Sequence, residues 1–205
     1  MSGPSRCVAC QRGMTSCWCP FVVASDHRAK VVLLQHPREA RNRCGSARMV
    51  RQALPRSQTL VGVEFEDDPR FTSMLQAEED PVVLYPAEGA RPVAELVERA
   101  GSFTLFVVDG TWGQADKIWR RNPSLRRLPT YRVDPAVPSR YLIRRGDPTP
   151  AGLATVEAVA AALDAADGAP GRYAALLAPL TALVERQVQE AQSPRRSPRH
   201  RPRRV

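Results

Sequence analysis

A chain of 205 residues, 43% hydrophobic and 25% charged, can bury a sizeable core, which excludes a mainly disordered polypeptide and leaves one domain with a short attachment as the simplest reading. The net charge of +9 is unevenly spread, because residues 193–205 carry six arginines and no acid, so the body is only mildly basic. No run approaches the roughly 20 apolar residues that span a bilayer, and residues 1–7 lack a signal-type apolar stretch, so no membrane partner and a cytoplasmic, thiol-reducing setting are the expectation.

Four cysteines come first in chain order, as Cys7-x2-Cys10-x6-Cys17-x-Cys19. Four thiolates suit the tetrahedral preference of Zn²⁺, and the first pair has the spacing of a zinc knuckle. A structural zinc is the leading expectation; an iron–sulfur cluster and plain reduced thiols are the alternatives. Cys44 stands apart and reads as a small packing residue.

Strand-length apolar runs follow at Lys30–Leu34, Thr59–Phe65, Val82–Tyr85, Phe103–Val108 and Thr130–Val133. Helical spacing appears in Pro92–Ala100 through Val93, Leu96 and Val97, in Thr111–Arg121, in Val156–Ala166 with Thr155 as its cap, and in Tyr173–Ala191, restarted at Pro179. Continuous apolar strands alternating with helices predict an α/β fold with a mainly parallel sheet covered on both faces. The expected division is a cysteine segment over 1–22, a body over 23–192 and a disordered basic tail over 193–205.

Directly after the fourth apolar run stands Asp109-Gly110-Thr111-Trp112. In open α/β sheets ligands bind beyond the carboxyl ends of the strands, so Asp109 occupies the place of a catalytic carboxylate. Gly110 allows a tight turn or a close ligand approach, and Trp112 offers a face on which a base can stack. The bland alternative is that Asp109 or Thr111 caps a helix and Trp112 packs in the core.

These residues, with others in order along the chain, resemble the DTW-domain family. The match begins at the cysteines and runs through Leu34-Gln35-His36-Pro37-Arg38-Glu39, Gly45-Ser46-Ala47-Arg48-Met49 and Leu84-Tyr85-Pro86. It continues through Asp109–Trp112 with Gln114-Ala115, Asn122-Pro123, Leu128-Pro129, the Ser139–Arg144 element and Leu153–Ala158. Ser46 stands where threonine is more usual, a later proline is displaced to Pro148, and the Arg-rich tail lies outside the pattern.

The resemblance implies a SPOUT-like fold with a trefoil knot, S-adenosylmethionine as donor and tRNA as partner. The implied activity is transfer of the donor's aminocarboxypropyl group to N3 of a uridine. Asp109 would act as base or bind the donor's amino group, Thr111 would supply a hydroxyl, and Trp112 would stack on the base or wall the adenosine pocket. Ser46, Leu84, Tyr85, Pro86, Gly110, Tyr141, Thr155 and Glu157 fall to the donor site. Arg48 and Arg144 fall to the donor carboxylate or an RNA phosphate, with surface charge as the alternative for Arg48. His36 reads as structural at least as readily as catalytic. Two other readings stand beside this one: a methyltransferase using the same donor, and a zinc-bearing RNA-binding protein without catalysis.

Overall fold

The computed structural model describes residues 6–76, 80–134, 139 and 152–192. Six strands form one sheet: β1 (Lys30–Gln35), β2 (Ser57–Val61), β3 (Pro81–Leu84), β4 (Arg91–Pro92), β5 (Thr104–Asp109) and β6 (Thr130–Arg132). Their order is β2-β1-β5-β3-β6-β4 and every pairing is parallel. The carboxyl ends of all strands therefore share one edge, where Gln35 is level with Asp109.

Successive strand residues face opposite sides, and the apolar runs fill two cores. Val31, Leu33, Val82, Leu84, Leu105, Val107 and Tyr131 face one. It is covered by α2 (Ala47–Ala53), α6 (Thr155–Ala166) and α7 (Ala178–Gln192). Val32, Leu34, Leu60, Val83 and Phe106 face the other, under α3 (Pro69–Gln76), α4 (Trp112–Arg121) and α5 (Pro123–Arg126). A short α1 (Pro37–Ala40) leaves β1 directly. The expected parallel sheet with helices on both faces is what forms. The path that decides the trefoil knot, between β6 and α6, runs through residues 135–138 and 140–151, outside the described residues.

Two local expectations shift and a third holds. β2 stops at Val61, where β1 also ends, because Phe65 folds back over Gly62: a Cβ there would stand 2.9 Å from the Phe65 ring. Buried Asn122 holds this turn, accepting from Phe65 N–H at 2.7 Å and donating to the carbonyls of Val63 and Ile118 at 2.8 and 2.7 Å. The helix expected over Pro92–Ala100 is a 3₁₀ turn, Val93–Glu98, after the two-residue β4. Three residues per turn keep Val93 and Leu96 inward and push Val97 out to solvent. The restart at Pro179 holds: a 3₁₀ turn, Ala174–Leu177, gives way to α7 at Ala178.

The cysteine segment is not a loose attachment. Cys10 and Trp18 are fully buried in the first core, and Trp18 Nε1 donates to Gln52 Oε1 of α2 at 3.2 Å. No helix among the described residues is long and apolar enough to cross a membrane.

Candidate active site

A cleft of about 270 Å³ opens at the carboxyl edge of the sheet. Leu84, Tyr85 and Pro86 supply one wall, Val107, Val108, Gly110, Trp112 and Ala115 a second, and Arg132, Val133, Asp134, Leu153, Thr155 and Ala158 the rest. Its lining is mostly apolar with a few polar side chains, Arg132, Asp134 and Thr155 among them, the build of a small-molecule site.

Asp109 is 6% exposed and stands between Val108 and Gly110 of the cleft lining. Gln35 Nε2 of β1 donates to its Oδ2 at 2.8 Å, and Thr155 Oγ1 of α6 donates to its Oδ1. Its backbone carbonyl accepts from His36 N–H at 2.9 Å. Three elements thus fix one carboxylate.

Gly110 is required by the tight approach of α4. A Cβ at that position would lie 2.9 Å from Gln114 Cβ and 3.3 Å from the Ala115 nitrogen. Thr111 is the N-cap of α4, and its N–H donates to Gln114 Oε1 at 2.9 Å, the returning half of a capping box. The helix-cap alternative is therefore right for Thr111. It fails for Trp112, which lines the cleft and is 42% exposed instead of packed in the core. Behind it Tyr85 stacks on Trp119 of α4, with centroids 4.7 Å apart and planes at 25°. Burial pushes the Tyr85 hydroxyl above its ordinary pKa, so the phenol is neutral near pH 7.

The sulfurs of Cys7, Cys10, Cys17 and Cys19 all lie within 4.8 Å of one another, with Cys7–Cys19 and Cys10–Cys17 both at 3.6 Å. Two thiolates on one tetrahedral ion at about 2.3 Å stand about 3.8 Å apart, so the set fits a single Zn²⁺. Backbone N–H groups of Cys10 and Ala9 aimed at Cys7 lower its thiol to about 6, while burial raises Cys17 and Cys19. Cys44 lies outside this set and meets Arg12 Nη1 at 2.8 Å.

The family profile of the DTW domain matches residues 4–188. The chain belongs to the DTW-domain family. Among curated DTW-domain relatives, it is 30% identical over 190 residues to tRNA-uridine aminocarboxypropyltransferase 2 of Drosophila melanogaster, spanning 90% of this chain and 75% of that one. The protein of the same name from Macaca fascicularis is 29% identical over 206 residues, 95% of this chain and 67% of the relative. No solved structure matches the chain.

The fold brings together at the DTW turn Asp109, Gly110, Trp112, Thr155 and the Leu84–Pro86 wall, as the sequence suggested. Three other expected residues lie elsewhere. Ser46 Oγ accepts from Val156 N–H at 3.4 Å, and Glu157 accepts from Ala154 N–H at 2.7 Å and from Ser139 Oγ at 2.5 Å. Arg48 is half-buried and does not line the cleft; its Nη1 donates to the Cys10 carbonyl at 2.9 Å and ties the cysteine segment to α2. Tyr141 and Arg144 lie outside the described residues, as does the tail over 193–205. His36 is structural: its Nδ1 accepts from Arg38 N–H at 3.2 Å and caps α1, and burial with nearby Arg38 and Lys117 lowers its pKa.

Sequence reasoning missed Gln35 and Arg132. Gln35 ends a strand beside a histidine that draws more notice, and Arg132 is one arginine among many. The available signal was positional, since both sit at carboxyl ends of strands.

Proposed function

We propose that this protein transfers the 3-amino-3-carboxypropyl group of S-adenosylmethionine to N3 of a tRNA uridine and releases methylthioadenosine. The observation that carries the reading is the cleft itself: a DTW turn at the end of β5, with a fixed carboxylate beside an apolar pocket and an exposed tryptophan on its rim. The names of the relatives supply the substrate class. The apolar base under Leu84, Leu153 and Ala158 accepts an adenine ring, and Trp112 offers a stacking face to the target uracil.

Uridine N3 gives up its proton to solvent water and attacks the methylene carbon next to sulfur. The N3–C bond forms as the C–S bond breaks, and the sulfur keeps the electron pair as a neutral thioether. Both Asp109 oxygens already accept a hydrogen bond, so the carboxylate is held in one orientation. That supports a role in binding the donor's ammonium and aligning the reacting carbon, more than a role as a base that has to move to a proton. Cys7, Cys10, Cys17 and Cys19 would hold a structural Zn²⁺, which supplies folding energy to residues that dock by Trp18. The division into a metal segment over 1–22, a catalytic body over 23–192 and a phosphate-seeking tail over 193–205 belongs to the same proposal, as does a cytoplasmic setting.

The test is incubation of purified protein with S-adenosylmethionine and unmodified tRNA, with mass analysis of nucleosides and spent donor. Aminocarboxypropyluridine and methylthioadenosine are expected. Methyluridine with adenosylhomocysteine, or RNA binding with no product, would overturn the assignment.

A further inference from the structure

Arg132 closes β6 and lines the cleft, and it is the only cationic side chain to do so among the described residues. Its Nε donates to Asp134 Oδ1 at 3.0 Å and its Nη1 donates to the Ala90 carbonyl. A guanidinium carries five N–H donors, and among the described residues Nη2 has no acceptor. The two bonds orient the plane without consuming it. The group has the fork that matches a carboxylate, held in place before a ligand arrives.

Asp109 stands two strands away, at the end of β5, with β3 between. Two strand spacings put their backbones about 10 Å apart, and the one acid among the described residues of the lining is Asp134, paired with Arg132 itself. S-adenosylmethionine carries a carboxylate that suits the Arg132 fork and an adenine that suits the apolar lining. Its ammonium and carboxylate sit on one arm, beyond the sulfonium, and its adenine is flat and apolar on both faces.

Resting on the donor assignment above, we infer that Arg132 binds the α-carboxylate of the donor and thereby decides which of the sulfonium's three carbons is presented for reaction. The carboxylate travels with the transferred group. Arg132 therefore keeps hold of the same oxygens while the C–S bond breaks and the N3–C bond forms, and the modified uridine leaves only when that contact is released. A methyl transfer needs no such hold, because the amino-acid arm stays on sulfur.

The experiment is calorimetric titration of the full chain with three compounds: S-adenosylmethionine, its analogue lacking only the carboxylate, and methylthioadenosine, which lacks the whole arm. Wild-type protein is expected to bind the decarboxylated analogue roughly 10- to 100-fold more weakly than the donor. Arg132→Leu should lose that discrimination and bind the two alike, with methylthioadenosine affinity unchanged, and Arg132→Lys should recover part of it. The comparison of ligands on wild-type protein needs no variant, so a misfolded Arg132→Leu does not blunt the test. Equal binding of donor and decarboxylated analogue by wild type would overturn the inference while leaving the donor site standing. So would a parallel loss of all three compounds in both variants, which would make Arg132 a support of the cleft wall. Wild type that binds none of the three would remove the donor reading, and this one with it.

Discussion

Asp109 owes its orientation to residues far from it in the chain: Gln35, 74 positions earlier, and Thr155, 46 positions later. Hydrogen bonds to a charged acceptor are worth about 1.5–3 kcal/mol. Gln35→Leu is therefore expected to cut kcat/KM by roughly 10- to 100-fold while circular dichroism is preserved. An unchanged rate constant would reduce Gln35 to packing. Gly110→Ala drives a methyl into the first turn of α4. A loss of about 1–3 kcal/mol in urea denaturation is the expected cost of that overlap, and a neutral result would mean α4 can slide. The carboxylate and its glycine were legible in the sequence, since a strand end followed by Asp-Gly announces itself. Gln35 was not, because its partner is set by the β1–β5 register, which no local pattern encodes.

At the scale of elements, α6 shows how a helix start can be assembled from elsewhere. Thr155 reads as its cap, but the N-cap is Ala154, whose side chain accepts nothing, and Thr155 turns to Asp109 instead. The missing acceptor comes from Ser46, at the N-cap of α2, while Glu157 reaches back to Ala154 N–H. Ser46→Ala should cost about 1 kcal/mol, as loss of an ordinary cap does, and it should also slow the enzyme, because α6 carries Thr155. Ser46→Thr keeps the oxygen and is expected to restore both; a Ser46→Ala protein as stable as wild type would argue against the borrowed cap. The helix was predictable from its apolar spacing and the cap was not, since the donor and acceptor lie 110 positions apart. The same limit hid β4, whose two residues pair with β6 alone.

For the whole molecule, the cysteine cluster and the sheet it packs against should melt together. Trp18 is 1% exposed and lies between Cys17 and Cys19. Chelation of bound metal is expected to lower Tm and, in a Trp112→Phe/Trp119→Phe background, to shift Trp18 emission to the red. Unchanged emission would mean that the segment docks without metal. Stability should also fall in mild acid. His27 Nδ1 donates to the Ala29 carbonyl at 2.6 Å and Nε2 accepts from Arg56 N–H at 3.3 Å, which selects the neutral ring. Burial holds the pKa of His27 and of His36 below 6.5 in the folded state. The folded state thus binds fewer protons, so this contribution is complete above pH 6.5 and is lost as pH falls below it. Urea midpoints between pH 7.5 and 5 should drop, and less so in His27→Gln; a flat profile would contradict the burial assignment.

The strand order carries a consequence for time as well as shape. β3 and β4 are joined by the short link 85–90, yet they do not pair, because β6 fills the gap between them. Until residues 130–132 arrive, β3 has a vacant edge and β4 has no partner. Pairings so distant in sequence are slow to close. The edge that holds Arg132 is complete only once β6 has paired on both sides. In refolding, donor binding should return later than helical signal, and a chain stalled before β6 would be largely folded yet unable to bind.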